Sequence, residues 1–229
     1  MEKERKGEVE NSKHEKEDIE KDPLTLDYKV IGSGSSGNCV RIEDMMVDVG
    51  LPFKSIEKDL YKVRYILITH AHSDHLKMST AKRIKKMFPS IKWIGNWDVV
   101  KKIDLDHVIG DSTKIKLKDR TISSFKCIHN VPTHGFTISY KNFEIIYATD
   151  TASLRFAPTG PYDYLFLESN HDQKKVEAII NNSKKIYGYD AYAGAKRHLP
   201  TQKSKTFYYL NRRNRNSKWI ELHKSSRFY

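Results

Sequence analysis

The chain has 229 residues and a mass of 26.7 kDa, enough for one domain of ordinary to large size with its own core. Hydrophobic residues make up 38% and charged residues 31%, and no apolar run approaches the roughly 18 residues of a membrane span, so no membrane partner is expected. The two cysteines, Cys39 and Cys127, are too few for a disulfide scaffold and match no zinc-ribbon spacing, which makes a reducing, cytoplasmic compartment the default.

The net charge of +12 is uneven. Residues 1–22 carry six basic and nine acidic side chains, and only Met1, Val9 and Ile19 are sizeable apolar groups. Such a segment has no face to bury and is expected to be a disordered charged tail, with no secretory signal; the folded domain spans 23–229. Residues 170–229 hold fourteen basic and four acidic side chains, a field that attracts polyanions, although a merely solubilising surface is the plainer reading.

In chain order, residues 26–31 read as a strand, followed by the turn-rich stretch 32–38. Strands are expected at 39–43 and 45–48, hinged at Glu43-Asp44, and at 65–69 (YILIT), an apolar run suited to burial on both faces. Residues 79–88 have helical spacing that Pro89 ends. Further strands are expected at 91–94, 114–117, 121–128, 136–140, 144–148 and 164–168. Helices follow at 173–181 and 203–213, and a last strand at 219–222. Alternating strands and helices point to sheets covered by helices, an αβ/βα layered sandwich.

The strongest chemical signal is His70-Ala71-His72-Ser73-Asp74-His75, directly after the strand at 65–69. Four metal-ligating side chains fall within six residues, at a strand end where they can converge. Two histidines at i and i+2 of extended chain project the same way, so both can reach one ion. Asp74 and His75, further round the turn, can serve a second.

These residues resemble the His-x-His-x-Asp-His motif of the metallo-β-lactamase-fold hydrolases, and the resemblance runs from about Tyr28 to the end of the chain. It implies a four-layer αβ/βα sandwich. Asp48 of Met46-Val47-Asp48-Val49-Gly50 matches the family's first motif, where the Asp orients the metal loop without binding metal. A third histidine is needed for the first metal, and His129 is favoured over His134 because it ends a strand. Asp150, closing another apolar strand, matches the bridging carboxylate, and His223 matches the last ligand. The implied set is His70, His72 and His129 for one ion, and Asp74, His75 and His223 for the other, with Asp150 between them. Imidazole-rich sites suit zinc, with manganese or iron as alternatives.

The stretch His223-Lys224-Ser225-Ser226-Arg227-Phe228-Tyr229 is similar to the last motif of ribonuclease Z. The loop 32–39 and Glu168-Ser169-Asn170-His171-Asp172 are similar to segments of the YycJ-like bacterial hydrolases, regarded as nucleases. In these relatives a His-Leu-Ser loop follows; here it is His198-Leu199-Pro200, with Pro in place of Ser. Leu167 stands where ribonuclease Z carries a histidine before its glutamate. His198 is the natural general acid, helped by Glu168 or His171, and Asp74 completes the catalytic set; for His171 and His198 the plain alternative is loop hydrogen bonding.

The expected activity is a dinuclear-metal phosphodiesterase, a nuclease on single-stranded DNA or RNA. A cyclic-nucleotide phosphodiesterase is the alternative, and a nucleic-acid-binding protein with structural metals lies further off. A thioester, lactam or lactone hydrolase is disfavoured by the basic excess. Lys203, Lys205, Arg212, Arg213 and Arg215, interleaved with Phe207, Tyr208 and Tyr209, are candidates for gripping a strand, with packing of the aromatics as the plain alternative. A homodimer stands open beside a monomer.

Overall fold

The computed structural model describes residues 25–181 and 195–225; the expected tail at 1–22 and the terminal Arg227 and Tyr229 lie outside the described residues. Two six-stranded sheets form the centre. The first contains β1 (Tyr28–Gly32), β2 (Cys39–Ile42), β3 (Met45–Val47), β4 (Tyr65–Leu67), β5 (Lys92–Asn96) and β6 (His107–Ile109), paired in chain order. The second contains β7 (Lys114–Lys116), β8 (Arg120–Cys127), β9 (Thr133–Tyr140), β10 (Phe143–Ala148), β11 (Tyr164–Glu168) and β12 (Lys218–Leu222), also in sequential order. Each sheet is part antiparallel and part parallel: β3 to β6 run parallel, as do β10, β11 and β12.

Parallel neighbours need crossovers, and helices supply them except between β10 and β11, where residues 149–163 cross over as irregular chain. Helices α1 (Phe53–Leu60), α2 (Met78–Met87) and α3 (Trp97–Val100) link the strands of the first sheet. Helices α4 (Gln173–Asn181) and α5 (Thr201–Asn211) lie between β11 and β12. No helix among the described residues is long and apolar enough to cross a membrane.

Side-chain alternation explains why the strands read as continuous apolar runs. Leu165 and Leu167 face one way and Tyr164 and Phe166 the other, all buried. Phe166 joins Val47, Leu67, Ile94 and Phe136 in an apolar layer between the sheets. Met46, Ile66 and Trp93 point to the outer face of the first sheet, against Ile56 and Leu60 of α1 and Ala81 and Ile84 of α2. Leu165, Leu167 and Ile146 point to the outer face of the second sheet, against Phe207 and Tyr208 of α5. Three apolar layers therefore separate four structural ones, helix, sheet, sheet, helix, as expected. Each fully buried Leu, Ile or Phe contributes about 1.5–3 kcal/mol.

Several elements differ from the sequence reading: the short α3 and β6 were not expected, and β9 begins at Thr133, three residues before the expected 136. Helix α1 was not expected, although Phe53, Ile56 and Leu60 repeat at helical spacing and are buried. Helix α5 starts at Thr201, two residues before the expected 203, with Pro200 as its extended N-cap. It stops at Asn211, where Arg212 turns extended and bridges to Tyr162.

At the lower edge of the sandwich a buried arginine pins the sheets together. Arg120, at the start of β8, has a fully buried side chain and reaches Asp44 in the β2–β3 turn at 2.5 Å and Asp119 at 2.8 Å. Its guanidinium lies 4.2 Å from the ring centroid of Tyr140 and 5.3 Å from that of Tyr65. Arg64 bonds both Asp44 and Asp119 from the outside. The hydrogen bond from Arg120, reinforced by Arg64 against burial, holds the Asp119 carboxyl well below its ordinary 3.8. A depressed carboxyl contributes stability that is present above its unfolded pKa and lost as the pH falls towards its folded one. Arg120→Met is expected to lower unfolding stability at pH 7 by about 2–3 kcal/mol in urea titration. The gap to wild type should narrow as the pH drops below 3.8; a gap independent of pH would show that the pairing is not what Arg120 contributes.

Candidate metal centre

All the ligand-type side chains singled out in the sequence emerge at one edge of the sandwich. Asp48 follows β3, the His70–His75 loop follows β4, and His129 follows β8. Asp150, Glu168 and His223 stand at the carboxyl ends of β10, β11 and β12, which are mutually parallel. Carboxyl ends of parallel strands free their side chains from the core while the backbone stays fixed, which is why sites collect there. Three of the five non-glycine residues with positive φ lie at this edge: Asp48 (62°), Asp150 (49°) and His223 (54°). Such conformations cost of order 1–3 kcal/mol each and persist where surrounding structure imposes them.

Asp48 organises the ligand loop. It is wholly buried; its carboxylate accepts from the Thr69 N–H (2.8 Å) and the Thr69 hydroxyl (2.9 Å), and contacts His75 Nδ1 at 2.7 Å. Bonding to Nδ1 leaves Nε2 of His75 to face the cluster, the second-layer orientation typical of metal-binding histidines. Gly50 lets the loop close: a Cβ there would sit 1.7 Å from the backbone oxygen of Asp74.

His70, His72 and His129 form one group in which the ligand atoms lie within 4.8 Å of one another. His70 Nε2 is 3.0 Å from His72 Nδ1. Burial, then repulsion from His75, pushes the pKa of His70 down to about 2, so it is a neutral lone-pair donor. Burial also lowers His129. His70, His75 and Asp150 form a second group, and Asp150, Glu168, His198 and His223 a third. Asp150, common to these two, has Oδ2 2.7 Å from His75 Nε2 and Oδ1 2.7 Å from His223 Nδ1. Burial opposes its ionisation, yet His223 and His75 hold its pKa well below the ordinary value. Burial likewise disfavours charge on the two histidines, but Asp48 and Asp150 raise His75 to about 10, and Asp150 and Glu168 raise His223 to about 10.

The remaining expected residues fall into three situations. Glu168 and His198 join the cluster: His198 Nδ1 lies 2.6 Å from Glu168 Oε1, and Glu168 Oε2 accepts from the Thr151 N–H. Asp74 stands at the margin, its Oδ2 3.6 Å from His75 Nε2 and outside the tight groups. His171 and His134 are elsewhere. His171 pairs through its backbone with Pro200 and so anchors the loop bearing His198. His134, the alternative to His129, is buried against Asn96 and Asp111. Sequence reading missed the supporting contacts of the 32–38 loop. Asn38 Nδ2 lies 2.8 Å from His75 Nε2, and Ser33 Oγ accepts from the His223 N–H. The missed Lys102 donates to the backbone oxygen of Ala71 inside the ligand loop.

The donor set fits a pair of divalent ions. Buried His129 Nδ1 and Asp150 Oδ1 have no hydrogen-bond partner; the latter's approach to His223 lacks hydrogen-bond alignment. Two imidazole nitrogens meet at 3.0 Å with one carboxylate between neighbouring clusters. Converging lone pairs that cannot satisfy one another are what a cation would satisfy. Cys127, two residues before His129, stays outside this chemistry: burial pushes its thiol up to about 12.

Comparison with known proteins agrees with the fold. The exodeoxyribonuclease YycJ of Bacillus anthracis is 25% identical over 176 residues, 65% of this chain; the match spans 64% of that relative's length. The human short-form tRNase Z superposes with a TM-score of 0.62 at 16% identity, covering 87% of this chain and 93% of that one. The metallo-beta-lactamase fold protein YhfI of Bacillus subtilis gives 0.64 at 14% identity, covering 87% and 86%. The family described as the Beta-lactamase superfamily domain matches residues 47–201, about two thirds of the sequence and every expected metal-ligand position but the last. With that match, and with two sheets between helical layers and histidine–carboxylate clusters at one edge, the chain belongs to the metallo-beta-lactamase superfamily.

Proposed function

We propose that the protein is a dinuclear-metal phosphodiesterase, a nuclease acting on single-stranded DNA or RNA. His70, His72 and His129 would hold one ion, and Asp74, His75 and His223 the other, with Asp150 shared. A donor set this rich in imidazole favours zinc, with manganese or iron next. Bound there, such a pair supplies an activated water near neutral pH and neutralises phosphoryl oxygens.

The observation that carries the reading is the contact between His198 Nδ1 and the buried Glu168, beside Asp150. Glu168 is fully engaged, through Thr151 on one oxygen and His198 and His223 on the other, so it is fixed as an acceptor. With Nδ1 bonded to Glu168, the outer proton of an imidazolium sits on Nε2, free to be handed to a departing oxygen. Phosphodiester cleavage releases a poor leaving alkoxide, and such a proton donor is what it needs. The His198 side chain is 21% exposed, so it stands between the buried cluster and incoming substrate. The net charge of +12 and the likeness to an exodeoxyribonuclease support a nucleic-acid substrate.

The direct test is product analysis with added Mn²⁺ or Zn²⁺ on labelled single-stranded DNA, single-stranded RNA and a panel of cyclic nucleotides, with Asp150→Ala as the blank. Shortened strands absent from the blank are expected. Intact strands with opened cyclic nucleotides would make the protein a small-molecule phosphodiesterase instead.

His198→Ala is expected to slow strand cleavage by about 10²–10⁴-fold. It should slow bis(p-nitrophenyl) phosphate far less, because nitrophenolate leaves without a proton. Equal losses on both substrates would remove His198 from the acid role. Gly50→Ala forces the ligand loop apart at Asp74, and its metal content after dialysis should fall below that of wild type. Retained metal would show that the loop closes without that contact.

A further inference from the structure

Two adjoining depressions lead away from the candidate metal centre along the helices that cover the first sheet. One, of about 330 Å³, is lined by Asp74 and Ser73 of the ligand loop, Ser35 and Ser36 of the 32–38 loop, and Lys77 and Lys102. The other, of about 430 Å³, shares Lys102 and adds Lys82 and Lys85 of α2 and Lys101 beyond α3, against one carboxylate, Asp104. Lys102 lines both, so the two depressions adjoin at its side chain. One end of this groove lies at Asp74; five lysines border its length.

The ammonium groups are available to a ligand in different degrees. Lys77 and Lys82 make no ion pair among the described residues and are exposed. Lys101, itself exposed, pairs only with the half-buried Asp98 three residues before it, a contact of little net value. Lys102 spends a hydrogen bond on Ala71, which ties the groove wall to the ligand loop. Helix α2 starts beside the groove with no side-chain cap and no acid in its first turn. Trp97, 69% exposed, opens α3, whose C-cap is Lys101.

The segment that the sequence suggested for this purpose is more committed. Arg213 pairs with Asp163 at 2.7 Å, and Tyr208 stacks on Trp219 with its hydroxyl donated to Ser217. Arg212 lies over Tyr208 and Tyr209.

We infer that the lysine groove is the track for the phosphate backbone of a single nucleic-acid strand, with Trp97 as a stacking surface at its rim and the strand's reacting end at Asp74. The inference rests on the phosphodiesterase reading. A row of lysines reads phosphates and not sequence, and an indole accepts any base, so DNA and RNA of unrelated sequence should bind alike.

The test is fluorescence anisotropy of the metal-loaded full chain with labelled, phosphorothioate-linked oligothymidylate and oligouridylate across a salt series. For single strands the slope of log K against log salt is about −0.7 per phosphate contact, so a Lys77→Gln/Lys82→Gln/Lys101→Gln variant should be shallower by about 0.7 for each lysine removed. Lys82→Gln alone, an exposed change, should give one third of that effect. Trp97→Leu should weaken binding roughly tenfold with the slope unchanged, since stacking releases no counterions. An unaltered slope in the lysine variants, or a slope lost instead in Lys205→Gln/Arg215→Gln, would overturn the groove; unaltered affinity in Trp97→Leu would overturn the stacking surface. Ordinary phosphodiester strands of the same sequence that bind through the groove with metal present but are never shortened would refute the nuclease reading while leaving the groove standing.

Discussion

Asp150 cannot be satisfied by either sheet alone. Its carboxylate is almost wholly buried, and its neighbours at 2.7 Å are His75, from the first sheet's loop, and His223, from the far edge of the second. An ionised carboxylate at that depth is costly unless paired. The two sheets must therefore meet at this edge in one register, and the apolar layer between them sets how closely. Asp48 performs the complementary task within the first sheet, holding Thr69 and His75 so that the ligand loop arrives in the right orientation.

The opposite edge is held by a different chemistry. Arg120, Asp44, Asp119 and Arg64 form a paired network whose charges balance, whereas the upper edge is left with imidazole and carboxylate atoms that lack partners. The lower network closes the sandwich without a ligand; the upper one retains unmet demand for a cation. Stability and binding are thus separated to the two ends of the same strands, so that one can be altered with little direct effect on the other.

Much of this was legible in the sequence because the ligands obey a local rule: an apolar strand, then a ligating side chain. His70 and Asp150 follow that pattern on strands buried largely on both faces, whereas His129 and His223 follow strands that are only partly buried and carry polar residues. What was not legible depends on packing between segments distant in the chain. Ser33 and Asn38 reach ligands that lie 190 and 37 residues away. The lysine groove arises only where α2 packs beside the segment after α3, and each lysine taken singly is an ordinary exposed residue. Helix α1 is a different case: its pattern of Phe53, Ile56 and Leu60 was present, but its eight residues are short enough to pass for a connection. Strand β6, three residues with only Ile109 buried, carries almost no pattern of its own.

The order in which strands deliver ligands has a consequence for biosynthesis. His70 and His72 belong to the first half of the described fold and His129 and Asp150 follow soon after its midpoint, but His223 comes directly after β12, the last described strand. During vectorial synthesis the three-histidine group is complete well before the group of Asp150, Glu168, His198 and His223 has its last member. Until β12 pairs beside β11, Asp150 lacks one of its two histidine neighbours, whereas the three-histidine group needs nothing from that strand. The two histidine–carboxylate groups are therefore completed at different times, the later one only when the last described strand has docked.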